Sequence, residues 1–193
     1  PSKRPAFDMK LEALIPVLNR EIPLKAHAHQ ANDILTAIRI AKEFHVKLTL
    51  EHTTEGNLIV DELVKAGYPC AVGPSLGHAT KFELQNKTWT TPGVLAKAGC
   101  QVSIITDAPV TPQKYLSLCA AMAVRAGMEP YEALKAITIN PAKHLGIEDR
   151  VGSLEVGKDA DILIFSGDPL DGISLPDQVL IDGKLIENTS GQL

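Results

Sequence analysis

His27 and His29 stand two residues apart in "LKAHAHQAND", at the end of a short apolar run. Imidazoles bind zinc and similar divalent ions, and near neutral pH they also serve as general acids or bases. Residues i and i+2 of a β-strand project from one face, so an extended run would aim both rings at one point. A helix would splay them apart. Two histidines in a loop or in a satisfied core are the plainer alternative, and the pair alone does not decide. More residues of ligand type lie downstream, His52 in "LTLEHTTE" and Asp107 in "SIITDAP", each closing another apolar run. Imidazole with carboxylate is the donor set of catalytic metal sites that keep a position open for water.

The elements that would hold these residues form a repeated rhythm. "IPLKAHA" leads into helical spacing over 31–44, "VKLTLEH" into a helix over 57–66, and "YPCAVGPS" into a loop and "TPGVLAKAG". "CQVSIITD" then precedes the apolar helix "QKYLSLCAAMAVRAG". Four short strands, each followed by a helical segment, predict consecutive βα units with a parallel sheet, an α/β architecture. In such folds ligands gather at the carboxyl ends of the strands, where His27, His29, His52 and Asp107 would lie together. Upstream, Leu11, Leu14, Ile15 and Leu18 are spaced as one helical face with Asp8 as its N-cap. Downstream, "EPYEALKAIT" and "NPAKHLG" predict two more helices, the second with Asn140 as N-cap and Pro141 in the first helical position. From Val151 short apolar runs alternate with Gly and Asp turns, and "IDGKL" carries the Asp-Gly hairpin signal. That β segment is too small to build a good core alone.

Composition narrows the field. A chain of 193 residues with 45% apolar content supports a real core. Its net charge of −4, with acids and bases mixed, gives no basic patch for nucleic acid or an anionic membrane surface. No apolar stretch approaches the roughly 18 residues of a membrane span, so no membrane partner is expected. Cys70, Cys100 and Cys119 form no C-x-x-C pair, which fits core thiols in a reducing cytoplasm rather than a disulfide framework. The opening "PSKRPAFD" lacks a Met and is expected of a processed chain or of a piece from inside a longer one.

Taken in order, these motifs resemble the amidohydrolase superfamily of metal-dependent hydrolases, and most of all its branch of imidazolonepropionases, dipeptidases and prolidases. "KAHAHQAND" is similar to the motif of barrel strand five, "LTLEHTTE" to strand six and "VSIITDAPV" to strand eight. "ITINPAKHLGIEDRVGSLEVGKDADILIF" is similar to the family's exit from the barrel into a small β-sandwich. The resemblance implies the C-terminal half of a (β/α)8 TIM barrel, strands 5–8, over 1–149, and part of a β-sandwich over 150–193. His27-x-His29 does not suit the family's strand-one pair, because only three further strands precede the exit motif. The strand-one histidines and any bridging lysine are therefore expected to lie outside this sequence.

Carried over residue by residue, the resemblance makes His27 and His52 metal ligands, with His52 alternatively polarising the substrate carbonyl. Asp107 would bind metal and act as general base. His29 and Gln30 fall where the branch places substrate contacts, and His78, in the Gly-rich "GPSLGHATK", is a further substrate-binding candidate. His45 and His144 are expected to be structural. The implied cofactor is a divalent metal, Zn2+ by default, with one or two ions in a complete protein and manganese, iron or nickel able to use the same donors. The implied reaction is hydrolysis of a C–N bond in a small amide, cyclic amide or peptide-like substrate by metal-activated water. A ring deaminase of the same superfamily and a non-catalytic interaction protein are the alternatives. The Gly-rich segment matches neither nucleotide-binding fingerprint. Half a barrel would expose sheet edges, so the chain is expected to associate with the missing N-terminal half or with another copy, and to be inactive alone.

Overall fold

The computed structural model describes residues 6–186. Asp8 caps the first helix as expected, its carboxylate accepting the N–H groups of Lys10 and Leu11. The helical segment is split, however, into two single turns, α1 (Met9–Glu12) and α2 (Ile15–Leu18). Pro16 has no N–H to extend a helix, and its ring crowds the carbonyl four residues back. Leu11, Leu14, Ile15 and Leu18 are correspondingly exposed, and only Val17 of this segment is buried.

The strand–helix alternation then runs as the spacing predicts. β1 (Leu24–Ala28) is followed by α3 (Ala31–Glu43), β2 (Leu48–His52) by a 3-10 turn and α4 (Val60–Ala66), β3 (Cys70–Val72) by a long loop and α5 (Thr91–Lys97), and β4 (Val102–Ile104) by α6 (Leu116–Arg125). The four strands form one parallel sheet in the order β1-β2-β3-β4. Ala28, His52, Val72 and Ile104 make one row across its carboxyl edge, and His27, Glu51, Ala71 and Ser103 the row before it.

Because side chains alternate along a strand, neighbouring rows belong to opposite faces. The face carrying Leu48, Leu50, Cys70, Val72 and Val102 is closed by Ile34, Ile38 and Ala41 of α3, Leu63 of α4 and Leu95 of α5. These are the apolar stripes of three amphipathic helices. Each full burial of an Ile or Leu contributes about 1.5–3 kcal/mol, which makes this layer the main support of the site above it. A second cluster joins Ile104 to Cys119, Ala120 and Ala123 of α6 and to Ala133 and Ala136 of α7 (Pro130–Ala136). Among the described residues no helix is long and apolar enough to cross a membrane.

α8 (Ile139–Leu145) begins earlier than its sequence implies. Thr138 takes the N-cap position and Asn140 lies inside the helix. Asn140 is buried, and its Nδ2 donates to the carbonyl of Val102 at 2.8 Å. That bond ties α8 to the start of β4, so the amide is engaged across the fold rather than on its own helix terminus. Beyond it, β5 (Ile162–Ile164), β6 (Gln178–Ile181) and β7 (Lys184–Ile186) form an antiparallel sheet. Asp182 and Gly183 join β6 to β7 with φ of 49° and 72°, the left-handed pair that a two-residue type I′ turn requires. The stretch before β5, 151–161, consists of bends, turns and irregular chain without a strand.

All three cysteines are free thiols. Cys70 lies in the first apolar cluster and Cys119 in the second, and Cys100 is half-buried against the first. Burial raises all three, Cys70 to about 12.

Candidate metal centre

His27 is the fourth residue of β1, and His29 follows the strand by one position. His52 ends β2 directly opposite Ala28. Strict alternation would send its ring to the apolar face with Ala28. Instead His52 has φ of 75° and Thr53 φ of 41°, and this left-handed backbone turns the imidazole toward the other two. The three ring centroids lie 4.9 Å (His27–His29), 4.2 Å (His27–His52) and 4.3 Å (His29–His52) apart. One ligand atom from each ring falls within 4.8 Å of the others, so the trio can hold a metal ion. His29 and His52 are buried, whereas His27 is exposed.

The chain around the trio is tightly joined. Thr53 N–H donates to the carbonyl of Ala28 at 3.0 Å and Glu55 N–H to that of His29 at 2.9 Å, so the turn after β2 closes against the end of β1. The buried Glu55 carboxylate accepts the N–H of Ala31, at the start of α3, at 2.8 Å and the Asn86 amide at 2.7 Å. Asn86 belongs to the loop 73–90, and this contact anchors that loop beside the site.

Each imidazole has its own surroundings. His52 Nδ1 lies 2.7 Å from the carbonyl oxygen of Gly73. A carbonyl only accepts, so Nδ1 carries the proton and Nε2 keeps its lone pair for a ligand. Metal-ligating histidines commonly show this arrangement, the second nitrogen donating to a carbonyl or carboxylate. Only glycine fits at position 73, where φ is 141° and an added Cβ would stand 2.1 Å from the carbonyl oxygen of Ile105. His29 Nδ1 lies 2.7 Å from the Thr54 hydroxyl, and its Nε2 stands 3.8 Å from the Glu83 carboxylate. Burial and the neighbouring His52 lower His29 to about 4, against the opposing pull of Glu83, so the ring is neutral at pH 7. The ring of His27 makes no hydrogen bond among the described residues.

The other residues proposed from the sequence are placed separately. Asp107 follows β4 in a turn with φ of 51°, exposed and outside the imidazole group. Gln30 is the N-cap of α3, but its side chain makes no capping bond. His78 is exposed in the loop 73–90, where its carbonyl accepts from Lys87 at 3.1 Å. Thr54, Glu83 and Gly73 are the neighbours that the sequence reading did not single out. Thr54 lies two residues beyond His52 within "LTLEHTTE", whereas Glu83 carried no signal except the length of its loop.

A second polar cluster on β1 and β2 is centred on Glu51, the residue opposite His27. Glu51 accepts from His144 Nε2 and the Thr49 hydroxyl, both at 2.8 Å, and Lys25 Nζ stands 3.4 Å away. Burial pushes the Glu51 carboxyl up, but the bond and charge of His144, the Thr49 hydroxyl and Lys25 outweigh it and bring it down to about 2. Among the described residues, His144 Nδ1 and Ser103 Oγ are buried without a hydrogen-bond partner.

Comparison with known proteins assigns the fold to a family. The model of the amidohydrolase family matches residues 18–186. The chain belongs to the amidohydrolase family. An amidohydrolase structure from Thermotoga maritima is 44% identical with a TM-score of 0.88, over 96% of this chain and 48% of that one. Among curated relatives, the imidazolonepropionase of Treponema denticola is 27% identical over 191 residues, covering 93% of this chain and 41% of its own length. That of Symbiobacterium thermophilum is 32% identical over 149 residues, covering 74% and 33%. A Xaa-Pro dipeptidase structure with bound methionine shares the fold at a TM-score of 0.70 and 24% identity, over 92% of this chain and 47% of that one. The amidohydrolase chain therefore spans less than half the length of each of these relatives.

Proposed function

We propose that this chain supplies the C-terminal half of a (β/α)8 barrel, residues 1–149 with β1 to β4 as strands 5–8, and part of a β-sandwich, residues 150–193. The enzyme so formed hydrolyses a C–N bond in a small amide, cyclic amide or peptide-like substrate. One observation carries the reading: in a chain of the amidohydrolase family, three imidazoles converge at the carboxyl ends of adjacent parallel strands with donor atoms inside 4.8 Å. Relatives that are imidazolonepropionases, and a fold neighbour that is a dipeptidase, favour a C–N bond as the target.

The donor set fits a divalent ion, zinc by default. His27 and His52 would hold it, with Asp107 as the carboxylate ligand. Such a cation supplies Lewis acidity, which polarises a carbonyl and makes water nucleophilic near neutral pH. Asp107, exposed on the turn that leaves β4, takes a proton on its carboxylate and passes it to the departing nitrogen. His29, Gln30 and His78 contact the substrate from the end of β1 and from the loop 73–90. The exposed edge of β1 and the polar face bearing Lys25 and His27 are where a complementary half-barrel, or a second copy, would complete the fold.

Cobalt or zinc titration of the purified chain, beside its His52→Asn variant, tests the centre. Binding that is present in the first and lost in the second is expected, and equal binding by both would overturn the assignment. Hydrolysis of a panel of dipeptides and cyclic amides should be absent from the chain alone. Robust turnover by a monomer would overturn the half-barrel reading.

A further inference from the structure

The three imidazoles differ in where their protons belong, and the difference follows from hydrogen-bond partners alone. His52 must carry its proton on Nδ1, since it faces only the Gly73 carbonyl there. His29 faces a hydroxyl at Nδ1 and a carboxylate on the Nε2 side. A hydroxyl can donate or accept, but an ionised carboxylate only accepts. A lone pair on Nε2 would point at negative charge, so the favourable arrangement has the Thr54 O–H donating to Nδ1 and a proton on Nε2. The Thr54 hydroxyl has no other hydrogen-bond partner among the described residues, which leaves its proton available for that bond.

We propose that Glu83 is a positioning residue that fixes His29 as the Nε2–H form, making His29 an N–H donor to a substrate oxygen rather than a metal ligand. His29 and His52 then hold opposite tautomers 4.3 Å apart: one offers a proton, the other a lone pair. The metal falls to His52 and His27. Among the described residues, the polar groups that act on His29 are Thr54 from the turn after β2, Glu83 and its ion-pair partner Lys81 from the loop 73–90, and the two other rings. Glu83 is held there by its loop, which Asn86 anchors to Glu55 and Leu84 fastens by burial. At 3.8 Å the carboxylate acts on the ring by charge rather than by a direct hydrogen bond, and the gap lets a substrate oxygen compete for the N–H. The substrate part of this assignment rests on the hydrolase reading. The tautomer part stands without it.

Long-range proton–nitrogen NMR of the metal-free, histidine-labelled full chain reads the tautomers directly. The expected spectrum shows His52 protonated on Nδ1 and His29 on Nε2, with the signals identified by single His→Asn variants. Glu83→Ala should shift His29 toward the Nδ1–H form while leaving His52 unchanged, and Glu83→Asp should restore part of the Nε2–H signal. Glu83 is one-third exposed and outside both apolar clusters, so these variants spare the core. An Nδ1–H His29 in the parent chain, or a His29 spectrum indifferent to Glu83→Ala, would overturn the proposal. Cobalt titration gives a second reading. His29→Asn should weaken cobalt by less than about tenfold, whereas His27→Asn and His52→Asn lose more than about 100-fold. A His29→Asn loss as large as that of His52→Asn would overturn it as well. Opposite tautomers in a protein without hydrolase activity would sink the hydrolase reading and leave the role of Glu83 standing.

Discussion

Two polar clusters meet on the same two strands, where His27 of one pairs with Glu51 of the other, and they are built in different ways. The lower one matches charge within the chain: the carboxylate of Glu51 meets His144, Thr49 and Lys25. The upper one gathers three imidazoles, with the Glu83 carboxylate 3.8 Å from His29, and leaves the Nε2 lone pair of His52 unused. The first cluster pairs its carboxylate within the chain, with His144 Nδ1 left without a partner among the described residues. The second collects nitrogen donors with no carboxylate within hydrogen-bond distance of their rings among the described residues, and the two clusters adjoin at the His27–Glu51 pair.

Substitutions should separate the clusters by what they damage. The largest effect expected is from His52→Asn, which lowers cobalt affinity by more than about 100-fold with little change in the urea midpoint. Gly73→Ala comes next, since its Cβ would collide with the Ile105 carbonyl and displace the acceptor of His52. A loss of about 3 kcal/mol in urea unfolding is expected, together with weakened metal binding. Glu51→Gln should do the reverse of His52→Asn, costing about 2 kcal/mol of stability at pH 7 and sparing the tautomers of the upper rings.

The pH profile sharpens the same contrast. Glu51 falls from 4.5 to about 2 on folding, so its contribution is complete above pH 4.5 and disappears as pH falls toward 2. The parent chain should lose up to about 2 kcal/mol across that window, an amount discounted for the partial exposure of Glu51, and Glu51→Gln should flatten the profile there. Asn140→Ala is the smallest change, removing one buried bond to Val102 at about 1 kcal/mol with no effect on either polar cluster. Thermal unfolding measures it.

Much of the fold was legible because local signals agreed: short β-branched strands, apolar helical spacing and an Asp-Gly turn all point to the elements observed. The exceptions have physical causes. Pro16 split one expected helix into two turns, and Asn140, which suits a cap, found a buried carbonyl on a strand distant in sequence. In the site, the convergence of His27, His29 and His52 could be anticipated from their places at strand ends. The left-handed turn that aims His52 could not, since nothing in "LEHTTE" demands it. Glu83 and Gly73 act through loop positions and a close backbone approach, and neither leaves a local pattern in the sequence.

The thiols of Cys70 and Cys119 occupy different apolar clusters and are barely exposed, at 0% and 1%. Neither can meet an alkylating reagent until its own layer opens, and raised thiol pKa values slow any reaction that does not go through opening. The molecule thus carries two internal clocks. Timed labelling, resolved by mass spectrometry, would show whether the sheet with α3 to α5 and the packing around α6 and α7 come apart in one event or in succession, without a probe having to be introduced.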